Sequence, residues 1–208
     1  MSASIDLPTL AIVILAPTAL LTLAWAFTKA GRRQREFGSP VDRKTYDTLH
    51  TASQASQHLH EGLTPQGAAK AARHLRALLG TQAIALCDRD STLAWDGTGI
   101  HHRDDASEHA GEVLVSGRTV VLTAKDVACG DPTCPIRTAI LTPVVSEERV
   151  VAVLAAYGPH ASASLVRATE EVAGWVSTQV ELAELGRQRS RATEAELRAL
   201  RAQISPHF

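Results

Sequence analysis

Two apolar runs, Thr138 to Val145 and Val150 to Tyr157, limit the possible folds of this chain more than any other feature. Each is rich in β-branched residues, and only Ser146-Glu147-Glu148-Arg149 separates them, which predicts a β-hairpin. Both runs are apolar at consecutive positions. A strand with one wet face alternates, so both faces of this sheet must be covered. Helices can cover one face, and a pocket or loops the other.

The upstream sequence supplies the partners. A polar helix is expected from Val41 to about Leu59, broken by Glu61-Gly62. Thr64 then has the character of an N-cap, with Pro65 at the first helical position and Gly80 as the C-cap. Ala68, Ala69, Ala72, Leu75, Leu78 and Leu79 fall at helical spacing and predict the buried face. Thr81 to Cys87 reads as a buried strand, Asp88 to Ser91 as a turn and Thr92 to Trp95 as the partner strand. Asp96-Gly97 opens a polar loop through His101, His102, Arg103, Asp104 and Asp105. A short helix follows, with Ser107 as cap, Ala110, Val113 and Leu114 on one face and Gly117 as its stop. Arg118 to Leu122 gives a further short strand. The fold class is therefore α+β. Ala and Leu supply much of the 45% hydrophobic content and aromatics only 4%, which favours helices over an all-β fold.

Leu7 to Thr28 carries no charge, and at helical rise such a run spans about 33 Å, enough to cross a hydrocarbon core. Pro17 falls mid-span, where membrane helices tolerate a kink. Trp25 and Phe27 sit near its end, where such rings prefer the interface. Lys29, Arg32, Arg33 and Arg35 follow at once, whereas Asp6 is the one charge before the span. This bias orients a single-pass anchor with its N-terminus outside and the rest of the chain cytoplasmic. A cleaved secretory signal would need a basic start and a shorter apolar core. A net charge of -1 gives no electrostatic footprint for nucleic acid.

No proline interrupts the sequence from Ala161 until Pro206, and Ala, Leu, Glu, Gln and Arg dominate, which predicts one long helix. Leu165, Val172, Val176 and Ala183 share a face, and Leu197, Leu200 and Ile204 repeat at three-four spacing. Between them Gly186 to Glu196 is almost wholly polar. Ser190 and Thr193 occupy seam positions there, the pattern of a two-stranded coiled coil with a weak middle. The chain thus divides into an N-terminal segment over 1–28 with the membrane helix at 7–28, a juxtamembrane linker and helix over 29–60, an α/β domain over 61–160, and a long helix over 161–208.

The order of helix, paired strands, inner helix and closing hairpin, TAILTPVVSEERVVAVLAAYG, resembles a GAF domain over about residues 60 to 185. That resemblance implies a cytoplasmic α/β sensor module that binds a small molecule or serves as a dimer scaffold. The final residues, ELRALRAQISPHF, resemble the phospho-acceptor motif of LytS-type sensor histidine kinases, in which a leucine-rich helix runs into Q-x-x-P-H-F. Gln203, Pro206, His207 and Phe208 match it position for position. The resemblance implies that His207 is phosphorylated from ATP and passes the phosphoryl group to an aspartate of a response regulator. A neutral imidazole is a good nucleophile near pH 7, and Pro206 would kink the helix beside it. Phosphoryl transfer then needs mainly positioning and charge neutralisation. The sequence ends one residue past His207 and holds no glycine-rich ATP-lid element, so it reads as a kinase truncated at its acceptor motif. No cofactor is expected within it; ATP and Mg2+ belong to a C-terminal domain. The implied partners are a second copy of the chain, a response regulator, a small-molecule ligand of unknown identity and the membrane. The rival reading is a non-catalytic, membrane-anchored ligand-binding or dimerisation module.

Three cysteines form no disulfide framework. Cys129 and Cys134 lie in CGDPTC ahead of the closing hairpin, a thiol sensor or half a metal site. The spacing is not C-x-x-C and no second Cys or His pair lies nearby in sequence, so no metal is expected. His101 and His102, beside Asp104 and Asp105, offer a metal reading, but solvated loop residues are the commoner outcome and the one expected; His50, His58 and His60 read as surface. Cys87 reads as a small core hydrophobe. No Ser/His/Asp or paired-carboxylate arrangement points to an independent hydrolase.

Overall fold

A computed structural model of the chain describes residues 20–23, 25 and 40–204. The chain divides into two units, 1–47 and 48–208. In the first, the side chains of Leu20, Leu21, Leu23 and Trp25 are exposed. The span expected at 7–28 otherwise lies outside the described residues, and among those no helix is long and apolar enough to cross a membrane. Pro206, His207 and Phe208 also lie outside them.

The elements in order are α1 (Pro40–Leu59), α2 (Pro65–Leu79), β1 (Ala83–Cys87), β2 (Thr92–Gly97), a 3-10 turn (Ile100–His102), α3 (Ala106–Ser116), β3 (Val120–Leu122), β4 (Thr138–Ser146), β5 (Arg149–Gly158) and α4 (Ala163–Ile204). The strands form one antiparallel sheet in the order β2-β1-β5-β4-β3. As the consecutive apolar positions require, both faces are buried. Ile84, Leu86, Val144 and Leu154 pack with residues of α1, α2 and α4. Their strand neighbours Ala85, Leu141, Val153 and Tyr157 pack with α3 and with Val127, Cys134 and Ile136 of the β3–β4 connection. A loop and one short helix therefore do on one side what three helices do on the other.

The caps of α2 are as expected: Thr64 Oγ1 accepts from the Gly67 N–H at 3.1 Å, and Gly80 adopts φ +65°. Its buried face differs by a small rotation. Ala71 replaces Ala69 in the core beside Ala68, Ala72 and Leu75, because the stripe is set by the sheet it meets. Strand β2 continues through Asp96 and Gly97 instead of opening a loop there. Ile84 pairs with Asp96, and Arg76 donates to the Asp96 carboxylate at 2.5 Å, which keeps that charge tolerable at the strand end. Ser107 lies within α3 rather than capping it. Asp105 holds the cap position without a side-chain cap bond, and Gly117 closes the helix at φ +65°.

Helix α4 is one continuous 42-residue element, about 63 Å long. Ser162 Oγ accepts from the Leu165 N–H at its start. Thr169, Ala173, Val176, Val180 and Ala183 form its buried stripe, which includes Val176 and Ala183 of the expected face. Residues 188–201 are all exposed.

The β4–β5 hairpin turns through Glu147 and Glu148, both at positive φ (50° and 61°), with Ser146 paired to Arg149. Two-residue hairpins of this hand favour Asn-Gly, since other residues strain there. Glu147 keeps partners in this conformation: its carboxylate meets Arg149 at 3.6 Å and accepts from Gln188 at 3.3 Å. Glu148→Gly should therefore raise stability by about 1 kcal/mol, read by urea unfolding, whereas Glu148→Val should lower it.

Candidate functional site

Strand register decides which loops meet. Gly97 pairs with Ala83, Ala83 with Tyr157, and Tyr157 with Ala139, so these four form one row across the sheet. The segment leaving β2 and the segment entering β4 consequently emerge at the same end. The first carries His101 and His102; the second carries Cys129 and Cys134.

Gly99 turns the first segment. It adopts φ +65°, and a Cβ there would stand 2.6 Å from Ile136 Cδ1 and 3.3 Å from His102 Cδ2. Glycine takes that left-handed backbone without strain, and a larger residue would also have to displace the Ile136 methyl. The following 3-10 turn presents the two imidazoles side by side, with ring centroids 4.4 Å apart. On the other segment, Asp131 Oδ1 accepts from the Thr133 N–H at 2.8 Å and its hydroxyl at 2.7 Å, and Cys134 N–H donates to the Asp131 carbonyl. Cys129 Sγ also donates to the Asp131 carbonyl at 3.8 Å, so both thiol-bearing residues are tied to Asp131.

The two segments converge closely. His101 Nε2 lies 3.3 Å from Cys129 Sγ, and His102 Nε2 lies 3.3 Å from Cys134 Sγ. One ligand atom from each of the four residues falls within 4.8 Å of every other. His102 and Cys134 are buried, at 1% and 3% exposure, whereas Cys129 is half-buried and His101 exposed. His101 is thus exposed as expected, whereas burial of His102 corrects the expectation that it is a solvated loop residue. The two histidines are the pair that CGDPTC lacks in sequence, separated from it by a helix and a strand.

Beneath the cluster, His102 stacks at 6.5 Å from both Trp95 and Tyr157, which lie 4.8 Å from each other. Trp95 Nε1, Tyr157 Oη and His109 Nδ1 are buried without a hydrogen-bond partner among the described residues. Burial, then the neighbouring His101, lowers the His102 imidazole below its ordinary value, which keeps it neutral. Burial likewise raises the Cys134 thiol, opposed by the Ile136 backbone N–H, and pushes Cys87 up to about 11. Cys87 is fully buried as the core hydrophobe expected of it. The arrangement offers two nitrogens and two sulfurs, a donor set suited to a soft or borderline cation, or a thiol pair for oxidation.

Of the expected acceptor motif, Gln203 falls in the last turn of α4, and Pro206, His207 and Phe208 lie beyond the described residues. His50 and His60 are exposed, and half-buried His58 stacks on His74 at 5.7 Å.

A family model described as GAF domain matches residues 66–184, close to the stretch that carries the resemblance in the sequence. The chain is 32% identical over 174 residues to "Sensor protein LytS" of Enterococcus faecalis, which covers 79% of this chain and 29% of that protein. It is 31% identical over 173 residues to "Sensor histidine kinase/phosphatase LytS" of Staphylococcus aureus, covering 79% and 30%. The chain thus spans under a third of the length of these relatives. Among solved structures it is similar to the A. aeolicus nlh2 GAF domain, with a TM-score of 0.49 and 13% identity over 66% of this chain and 98% of that one.

Exposure orders the three thiols. In the reduced, metal-free chain at pH 8, a disulfide reagent such as dithionitrobenzoate should modify Cys129 rapidly and Cys134 and Cys87 only on unfolding. Cys129→Ser should remove the fast phase.

Proposed function

This chain belongs to the GAF domain family, and from that premise we propose that it is the sensory and phospho-acceptor portion of a LytS-type sensor histidine kinase. In this reading the domain receives a cue and controls phosphorylation of His207 from ATP. The phosphoryl group then passes to an aspartate of a response regulator. ATP and Mg2+ are bound by a domain C-terminal to this sequence, and residues 7–28 anchor the protein in the cell membrane with the domain inside. The exposed apolar side chains of Leu20, Leu21, Leu23 and Trp25 suit a lipid environment.

The observation that carries the reading is the identity with LytS proteins over 173 to 174 residues, joined to an unbroken helix that runs toward QISPHF. The helix is also gripped by the domain. Val145 N–H donates to Ser177 Oγ at 2.8 Å, Gln188 donates to Glu147 at the hairpin tip, and Arg187 donates to the Glu61 carbonyl at 2.5 Å. A shift in the sheet or in the α1–α2 corner therefore bears on α4 directly. Beyond Gln188 the helix leaves the domain with Leu197 and Leu200 about half exposed, an apolar seam for the same helix of a second copy. The weak polar stretch between Gly186 and Glu196 would let that pair shift register when α4 moves.

The intact protein in membrane vesicles, given radiolabelled ATP and Mg2+, tests this. The expected result is an acid-labile, base-stable label that His207→Gln removes entirely. An unchanged label in His207→Gln would refute His207 as the acceptor, and no label in the unaltered protein would leave a non-catalytic ligand-binding or dimerisation module.

A further inference from the structure

We propose that His101, His102, Cys129 and Cys134 form a four-coordinate site for Zn2+, held by one imidazole nitrogen from each histidine and both sulfurs. Nothing in this inference depends on the kinase reading, since it rests on donors, distances and burial alone.

Zn2+ takes tetrahedral N/S ligands with bonds of about 2.0–2.1 Å to nitrogen and 2.3 Å to sulfur. The edges of such a tetrahedron measure about 3.3–3.8 Å. Two edges already stand at 3.3 Å, and all four atoms lie within 4.8 Å, so side-chain rotation closes the remainder. Mg2+ and Ca2+ would require oxygen ligands, whereas two sulfurs with two nitrogens are a typical zinc donor set. Charge agrees as well. Two thiolates and two neutral imidazoles around a divalent ion sum to zero, as half of the set sits in the core of the sheet's loop face.

The surroundings suit a built site. Gly99 holds the histidine turn where a side chain would collide, and the Asp131 turn holds the thiol segment. Binding then releases two protons: each thiol loses its hydrogen as a Zn–S bond forms, and no oxidant or reductant enters.

The test uses the full chain in detergent, reduced and freed of metal under anaerobic conditions, with Co2+ as the spectroscopic probe. One equivalent of Co2+ should produce the intense visible bands of a tetrahedral ion and a near-ultraviolet thiolate-to-cobalt transition, and Zn2+ should displace it. His101→Ala alters an exposed side chain and should not disturb folding, which circular dichroism verifies. It should weaken Zn2+ at least a hundredfold, more than the 10- to 100-fold cost of losing an outer-shell partner. Cys129→Ser should remove much of the thiolate transition, and Cys87→Ala should leave it unchanged. Three results would each overturn the site: a faint octahedral spectrum despite two free thiols, bands that survive both His101→Ala and Cys129→Ser, or a Cys129–Cys134 disulfide that forms in air equally fast with excess Zn2+.

Discussion

Burial of both faces of the β1-β5-β4 core governs the rest of this molecule. Strands that are apolar at every position cannot leave a side to water, so something must be laid over each face. Helices α1, α2 and α4 take one side. The other is closed by α3 and by a segment with little regular structure, in which Val127, Cys134 and Ile136 supply the apolar contacts. Covering the sheet is therefore what draws Cys134 inward, and Gly99 and Ile136 then set the distance at which His102 arrives. The cluster follows from packing before it serves any chemistry.

The same sheet joins that cluster to the long helix. Tyr157 faces the His102 side, and Leu154, three residues earlier on β5, faces the core beneath α4. Val145, at the register shift of the hairpin, is bonded to Ser177. A change that tightens the loop face has a short route through one strand to the helix, with no domain rotation required. Packed cores respond to such changes in discrete shifts rather than continuous bending, which suits a switch.

How much was legible in the sequence depends on the distance over which each signal acts. The hairpin, the caps of α2 at Thr64 and Gly80 and the start of α4 are local patterns, and the sequence places each within a residue or two. The buried face of α2 was read with Ala69 in place of Ala71, because the helix alone does not say where the sheet lies. Ser107 carried a capping signal that Asp105 overrode by occupying the cap position. The four-residue cluster was illegible for a different reason. His102 and Cys129 are separated by α3 and β3, and only the row formed by Gly97, Ala83, Tyr157 and Ala139 reveals that their loops share an end. A glycine before an adjacent histidine pair, with a thiol turn before the same sheet's hairpin, was the available clue. The resemblance at QISPHF rests on sequence alone, and the structure adds only the helix that runs to Ile204.

Because Tyr157 and Leu154 place the histidine–cysteine face and the core beneath α4 on one strand, binding at the first is expected to change the second. Amide hydrogen exchange on the intact protein, with Zn2+ and after chelation, measures this directly. Zinc should slow exchange in the segments 99–103 and 128–136 and also change it in α4 over 173–190. A response confined to the two loops, with α4 exchanging identically in both states, would contradict the account.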